Sequence, residues 1–410
     1  MSEIDVEVDP AEVGFDATRL ARIDEHFGHY VDDGRLPGWL VMVSRGGRIA
    51  HCSIAGQRDR EAGLPVEHDT LFRIYSMTKP LTSVAAMVLY EQSRFQLTDP
   101  VSKFIPSFAD MRVFVKGTAA KPVTVPATEP IRIWHLLTHT AGLTYGFHHV
   151  DPVDEMYRAA GFEWTTPEGL DLAGCCEAWA SLPLLFQPGA EWAYSHATDV
   201  LGHLVEVISG QTLEQFLTER ILDPLGMTDT GFSVAPADAD RLAALYAAAP
   251  GRGVARYDTL GTVALSPPSA FSGGGGLVSS ARDYHRFATM LLRGGELDGT
   301  RLLGTRTVRY MTRNQLPGGA DLETFGRPLF AEMPFPGVGF GLGFSVIDDP
   351  VRYRVLSSAG EFGWGGAAST AFWVDPAEDL TVLFLTQLLP SSTYPIRTQL
   401  RQLVYQALVD

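Results

Sequence analysis

The spacing of apolar positions changes along the chain, and each change predicts an element. Leu20, Ile23, Phe27 and Val31 recur at helical spacing ahead of Pro37, which predicts an amphipathic helix. Residues 39–44 and 49–54 are short apolar runs on either side of Gly46-Gly47, the pattern of a β-hairpin. From Ser76 to about Arg94 the period is helical again, with Pro80 in the first turn, where its missing N–H costs little. Residues 131–140, 200–209 and 214–222 also read as helices, the second closed by Gly210. A Gly-rich stretch, 272–280, leads into a further helix, with Ser280 and Asp283 at capping-box spacing. Residues 368–374, a turn at Asp375-Pro376 and Leu380–Leu385 predict a second hairpin, and 394–409 a final helix. The first twelve residues read as a loose acidic arm.

Strands at both ends of the chain and helices between them predict an α/β (α+β) fold. Its sheet domain is discontinuous, residues 1–80 with 270–410, and residues 81–269 form a mostly helical insertion. The length of 410 residues would allow two to three units at about 150 residues each. With 45% hydrophobic and 20% charged residues the chain is globular rather than disordered. The formal net charge of −16 excludes nucleic acid and an anionic membrane surface as expected partners. The longest apolar stretches, such as Leu380–Leu385, are far short of a membrane span. The acidic N-terminus shows no signal-peptide pattern, so the expected address is the cytoplasm. Three cysteines make no disulfide framework, and the vicinal Cys175-Cys176 pair reads as core or half-exposed thiols.

Several motifs fail on inspection. His135 and His139 share a helix face, but Leu136 occupies the position where a zinc protease carries its glutamate, so structural hydrogen bonding is favoured over metal binding. Gly273–Gly276 lacks the Gly-Lys-Ser/Thr of a phosphate loop and reads as a flexible loop. Gly231-Phe-Ser-Val-Ala and Gly343-Phe-Ser-Val-Ile lack the last glycine of a nucleophile elbow.

One motif holds. The chain has only four lysines, and Lys79 alone follows a serine by three positions, in Ser76-Met-Thr-Lys79 at a helix start. Residues i and i+3 lie about 60° apart around a helix, so both side chains share a face. A serine hydroxyl needs a neighbouring base to become a nucleophile, and a buried lysine can supply one. A second element, Trp192-Ala-Tyr-Ser-His196, offers the Tyr194 phenol as a partner able to donate and accept. A third, 360–368, places glycines at a strand start, where a free N–H can pair with that of Ser76 as an oxyanion hole.

The order Ser-x-x-Lys, Tyr-Ser-x, then a Gly-rich strand resembles the serine β-lactamase and penicillin-binding-protein superfamily, and the stretches 136–143 and 272–280 resemble its class C branch. Within that branch the chain is most similar to the family VIII carboxylesterases, over roughly residues 15–405. The resemblance implies a β-lactamase-like fold, an antiparallel sheet flanked by helices plus an inserted helical domain, with the site between them. It makes Ser76 the acylated nucleophile, Lys79 and Tyr194 the base and proton carrier, and the N–H groups of Ser76 and Ala367 the oxyanion hole. His196, Trp364, Gly365 and Gly366 would line the substrate pocket. His196 departs from the branch's Tyr-x-Asn, and Trp364-Gly365-Gly366 departs from its Lys-Thr-Gly. The loss of that cation points to uncharged esters of short to medium acyl chains rather than β-lactams. No metal or cofactor is expected, and the expected partner is a small-molecule ester; the sequence leaves the oligomeric state open. The same nucleophile would also serve an acyltransferase, an amidase or D-aminopeptidase, or a weak β-lactamase. A non-catalytic binding member of the superfamily is the alternative of a different class.

Overall fold

The computed structural model describes residues 4–251, 253–327 and 335–410. An eight-stranded antiparallel sheet is built from the two ends of the chain. The first end supplies β1 (Gly38–Arg45), β2 (Arg48–Asp59) and β3 (Leu64–Pro65). The second supplies β4 (Val338–Phe340), β5 (Ser345–Ile347), β6 (Phe362–Gly365), β7 (Ala371–Asp375) and β8 (Leu380–Leu385). Their order is β4-β5-β6-β7-β8-β1-β2-β3, so the ends meet at the β1–β8 pair, where Leu40 faces Leu385 and Arg45 faces Leu380.

Both central strands are almost wholly buried, which is why they read as continuous apolar runs rather than as alternation. Successive side chains still go to opposite faces. Trp39, Val41, Val43 and Phe384 pack with Phe27 of α1 (Arg22–Asp32) and Leu400 of α5 (Ile396–Tyr405). Leu40, Met42, Leu383 and Leu385 join the larger core, which also holds α2 (Thr78–Glu91), α3 (Ala197–Ser209) and α4 (Ala281–Leu292). Leu81, Val84 and Ala85 of α2 share that core with Val200, Leu201 and Leu204 of α3, beside Leu40, Met42, Leu383 and Leu385 of the sheet. Gly210 closes α3 at φ +77°, a left-handed conformation that suits glycine.

The structure departs from the sequence expectations at several places. The N-terminal arm is not loose: Ile4 and Val8 are buried, and the Ile4 and Glu7 amides donate to His68 and to the Ile49 carbonyl. The helix expected over 131–140 is confined to Ile133–Leu137, because His139 takes φ +56°. The final helix is α5 alone. The antiparallel pairs that were not foreseen include Arg112–Thr118 with Lys121–Pro126 and Tyr246–Ala249 with Gly253–Arg256. In the first, Val113 alone of the valines is buried while Val115, Val123 and Val125 stand exposed among lysines and prolines, so its apolar pattern is too weak to mark it. Among the described residues no helix is long and apolar enough to cross a membrane.

Candidate active site

The short strand Phe72–Arg73 pairs with Val278–Ser279 and leads into a tight turn, Tyr75–Met77, that runs directly into α2. Tyr75 has φ +43°, left-handed backbone that costs a non-glycine residue on the order of 1–3 kcal/mol. That twist sends the chain from strand to helix in one residue and leaves Ser76 half-buried at the helix entrance. The first amide bonded in the turn is Met77 N–H, to the Ile74 carbonyl at 3.0 Å. The Ser76 amide has no acceptor among the described residues, as expected of a donor in a helix's first turn. The Tyr284 phenol of α4 donates to the Met77 carbonyl at 2.9 Å and pins the turn to the core.

Lys79, one turn on, is 2% exposed. Its Nζ donates to Ser76 Oγ at 3.2 Å and to the Gly274 carbonyl at 2.7 Å. The Tyr194 and Tyr145 rings lie 4.4 and 5.4 Å from Nζ, within cation–π range. The Gly274 contact corrects the reading of Gly273–Gly276 as a spare flexible loop. Thr82 Oγ1 of α2 donates to the Gly273 carbonyl, and the Gly274 amide donates to the Asp199 carboxylate of α3. A Cβ on Gly274 would stand 2.6 Å from Asp199 Oδ2, and one on Gly273 2.8 Å from the Thr198 carbonyl. Glycine is required at both positions because the loop lies directly on the first turn of α3.

Tyr194 comes from the loop before α3, with its backbone carbonyl accepting from His148 Nε2. Its ring faces Lys79, but its phenol oxygen accepts from Trp364 Nε1 at 3.1 Å instead of sharing a proton with Ser76 or Lys79. His196 lies against Trp179 and Tyr145, ring centres 4.3 Å from each, and its Nδ1 bonds Asp199 Oδ2 at 3.0 Å. Burial lowers the His196 pKa against the pull of Asp199, so the ring is neutral.

The opposite wall is the end of β6. A Cβ on Gly366 would stand 2.4 Å from the Ile74 carbonyl, so this glycine lets the strand end close on the Ser76 segment, and one on Gly365 would meet the Arg397 guanidinium of α5. Arg397 donates to the Gly366 and Thr370 carbonyls. Ala367 follows in a turn, packed in one cluster with Tyr75, and its amide has no acceptor among the described residues. Ser76, Tyr194, His196, Trp364, Gly365, Gly366 and Ala367 all border one cavity of about 590 Å³. Lys79 does not border it and reaches Ser76 from the core side. Phe147, Trp164, Trp179, Phe232 and Phe335 give the cavity an aromatic lining, to which Leu260, Val263 and Pro268 add.

The motifs set aside earlier have structural partners. His135 Nδ1 accepts the Arg132 amide, and His139 Nδ1 bonds Ser195 Oγ. Burial pushes His135 down to about 4 and His139 well below its usual range. Among the described residues no group of three or more His, Cys, Asp or Glu side chains could hold a metal ion. All three thiols are free, with Cys175 and Cys176 buried and Cys175 pushed by burial up to about 12. Asp199 is the functional candidate that sequence reasoning missed. Its signal was faint: an acid three residues after His196, with partners more than seventy residues away in the chain.

A family model described as Beta-lactamase matches residues 23–406. A Mycobacterium tuberculosis protein is 41% identical over 88% of this chain and 88% of its own. Esterase EstB of Burkholderia gladioli is 33% identical over 97% of this chain and 98% of its own. Among solved structures, EstCE1, described as a hydrolase with promiscuous acyltransferase activity, superposes with a TM-score of 0.80 at 28% identity, covering 95% of this chain and 99% of its own.

Proposed function

The chain belongs to the beta-lactamase family, and we propose that within it the protein is a carboxylesterase of the family VIII kind, a serine hydrolase working through an acyl-Ser76 intermediate. The observation that carries this reading is the buried Lys79 Nζ 3.2 Å from Ser76 Oγ, with Ser76 bordering a large aromatic-lined cavity. The reaction takes place in the cleft between the sheet unit, 1–80 with 270–410, and the helical insertion, 81–269. Ser76 Oγ attacks the ester carbonyl and its proton passes to the Lys79–Tyr194 pair. The carbonyl oxygen becomes an oxyanion held by the unbonded amides of Ser76 and Ala367. Collapse breaks the C–O bond, the alcohol leaves with the proton, and water hydrolyses the acyl-Ser76 by the reverse sequence.

Trp364 supports the substrate class. It puts an indole where a β-lactam-binding relative would carry a cation, which favours an uncharged ester with a short or medium acyl chain. Transfer of the acyl group to an alcohol is the second reading. The apolar cavity, which has room for an acceptor beside the acyl group, favours it, and so does the likeness to EstCE1. A cytoplasmic address agrees with three unpaired thiols.

The test is release of p-nitrophenol from acetate and butyrate esters. Ser76→Ala is expected to fall to background, and Lys79→Ala and Tyr194→Phe to lose on the order of 10³-fold in kcat with folding unchanged. Wild-type turnover by Ser76→Ala would overturn the assignment. Added alcohol acceptors, with both products measured, separate transfer from hydrolysis.

A further inference from the structure

Asp199 is 3% exposed, yet it is fully engaged. Oδ1 accepts from Ser272 Oγ at 2.6 Å and from the Gly274 amide at 2.9 Å, and Oδ2 bonds His196 Nδ1 at 3.0 Å. Two of these three bonds hold the Gly-rich loop. The same residue, Gly274, turns its carbonyl to Lys79 Nζ at 2.7 Å. One peptide therefore links a buried carboxylate on α3 to the lysine beside the nucleophile, and the missing Cβ of Gly274 is what lets the link be this short.

We propose that Asp199 is a positioning residue for the acylation step: it seats the Gly274 carbonyl on Lys79 and opposes the charge of Lys79 from within the core. The inference rests on the hydrolase reading above. The groups that face this pair from the surrounding elements are His139, Tyr145, Cys175, Cys176, Tyr194 and His196. Burial keeps the two imidazoles neutral and keeps the thiols and the Tyr145 phenol protonated. Burial also pushes the Asp199 carboxyl up, but its bond to His196, its proximity to Lys79 and its bond to Ser272 bring it below the usual carboxylate range, so it stays ionised. A buried carboxylate favours the more positively charged state of the site around it, so removing its charge makes the catalytic base easier to deprotonate.

The experiment is the pH profile of kcat/KM for p-nitrophenyl butyrate. In Asp199→Asn the acid limb is expected to move to lower pH by about one unit. Asp199→Glu keeps the charge but displaces the loop, so its plateau should drop roughly tenfold with the acid limb at the wild-type pH. An acid limb unmoved in Asp199→Asn overturns the proposal, because a purely structural role lowers activity equally at every pH. If Asp199→Asn does not fold, a wild-type plateau in Asp199→Glu overturns it instead. Fluorophosphonate labelling of the wild type, mapped to its peptide, tests the underlying reading separately. An unlabelled Ser76 removes the hydrolase reading, whereas a labelled Ser76 with an unmoved acid limb removes the role of Asp199 alone.

Discussion

Trp364 joins the two sides of the cleft through one hydrogen bond, from its indole N–H to the Tyr194 phenol oxygen. By filling an acceptor site on that oxygen, the bond directs the phenol's own proton elsewhere in the cavity. Trp364→Phe keeps the aromatic face and removes the donor. Its kcat is expected to fall about tenfold, the equivalent of one hydrogen bond, with KM for short esters little changed; steady-state kinetics on p-nitrophenyl acetate checks both. Nitrocefin turnover by the wild type should stay near background for the same reason that Trp364 favours neutral esters. Ser76 and Lys79 were legible in the sequence because they are neighbours on one helix and lysine is scarce. Tyr194 and Trp364 were legible only as motifs, since the contact that joins them spans 170 positions. Asp199 was barely legible: only its spacing from His196 sets it apart from any first-turn helix acid, and its other partners arrive from another loop.

Among the elements, α4 carries two buried ionisable side chains with opposite responses to pH. The expected capping box is half formed. Ser280 accepts the Asp283 amide, but the Asp283 carboxyl is spent on the Asp229 amide and the Thr230 hydroxyl, and burial raises it to about 6. Two residues on, His285 Nε2 bonds Ser44 Oγ of β1, and burial lowers it to about 4. The folded Asp283 holds a proton that the unfolded chain releases above its ordinary pKa of 3.8. Its contribution is present below that value and lost as pH rises through about 6. The folded His285 refuses a proton that the unfolded chain takes up below 6.5, so its contribution is lost as pH falls from there to about 4. The two oppose each other across the shared window. Thermal melts between pH 4 and 7 should show His285→Gln losing less stability on acidification than the wild type, and Asp283→Asn losing more. The sequence made α4 and the central strands visible because their apolar periods are strong. It left the 112–126 hairpin hidden, because Val113 is buried while Val115, Val123 and Val125 face solvent.

At the scale of the whole molecule, the sheet depends on both chain ends. Arg401 of α5 donates to the buried Glu361 at 2.9 Å, just before β6, and lies over the Trp373 ring of β7. Arg401→Ala leaves that buried carboxylate with the Tyr405 phenol but no cation and should cost about 3–5 kcal/mol, read from the urea midpoint, while adding Glu361→Gln should recover much of the loss. Short apolar runs at both ends and helical periods between them were enough to foresee a sheet unit made by two distant segments, while its antiparallel character was implied only by the family resemblance. They did not reveal its strand order, which is set by pairing across the whole chain. The β1–β8 seam has a consequence for how the protein is made. Ser44 and Thr381 bond across it at 337 residues' separation. At ~5–20 residues per second a ribosome needs roughly 20–70 s to bridge that gap. Throughout that time β1 has no partner on one edge, and Ser76 is made long before the Ala367 turn. The Ala367 turn must therefore be made before the proposed nucleophile has an oxyanion hole to work with, and a nascent chain stalled short of β6 is expected to carry an intact Ser-x-x-Lys segment that does not turn over an ester.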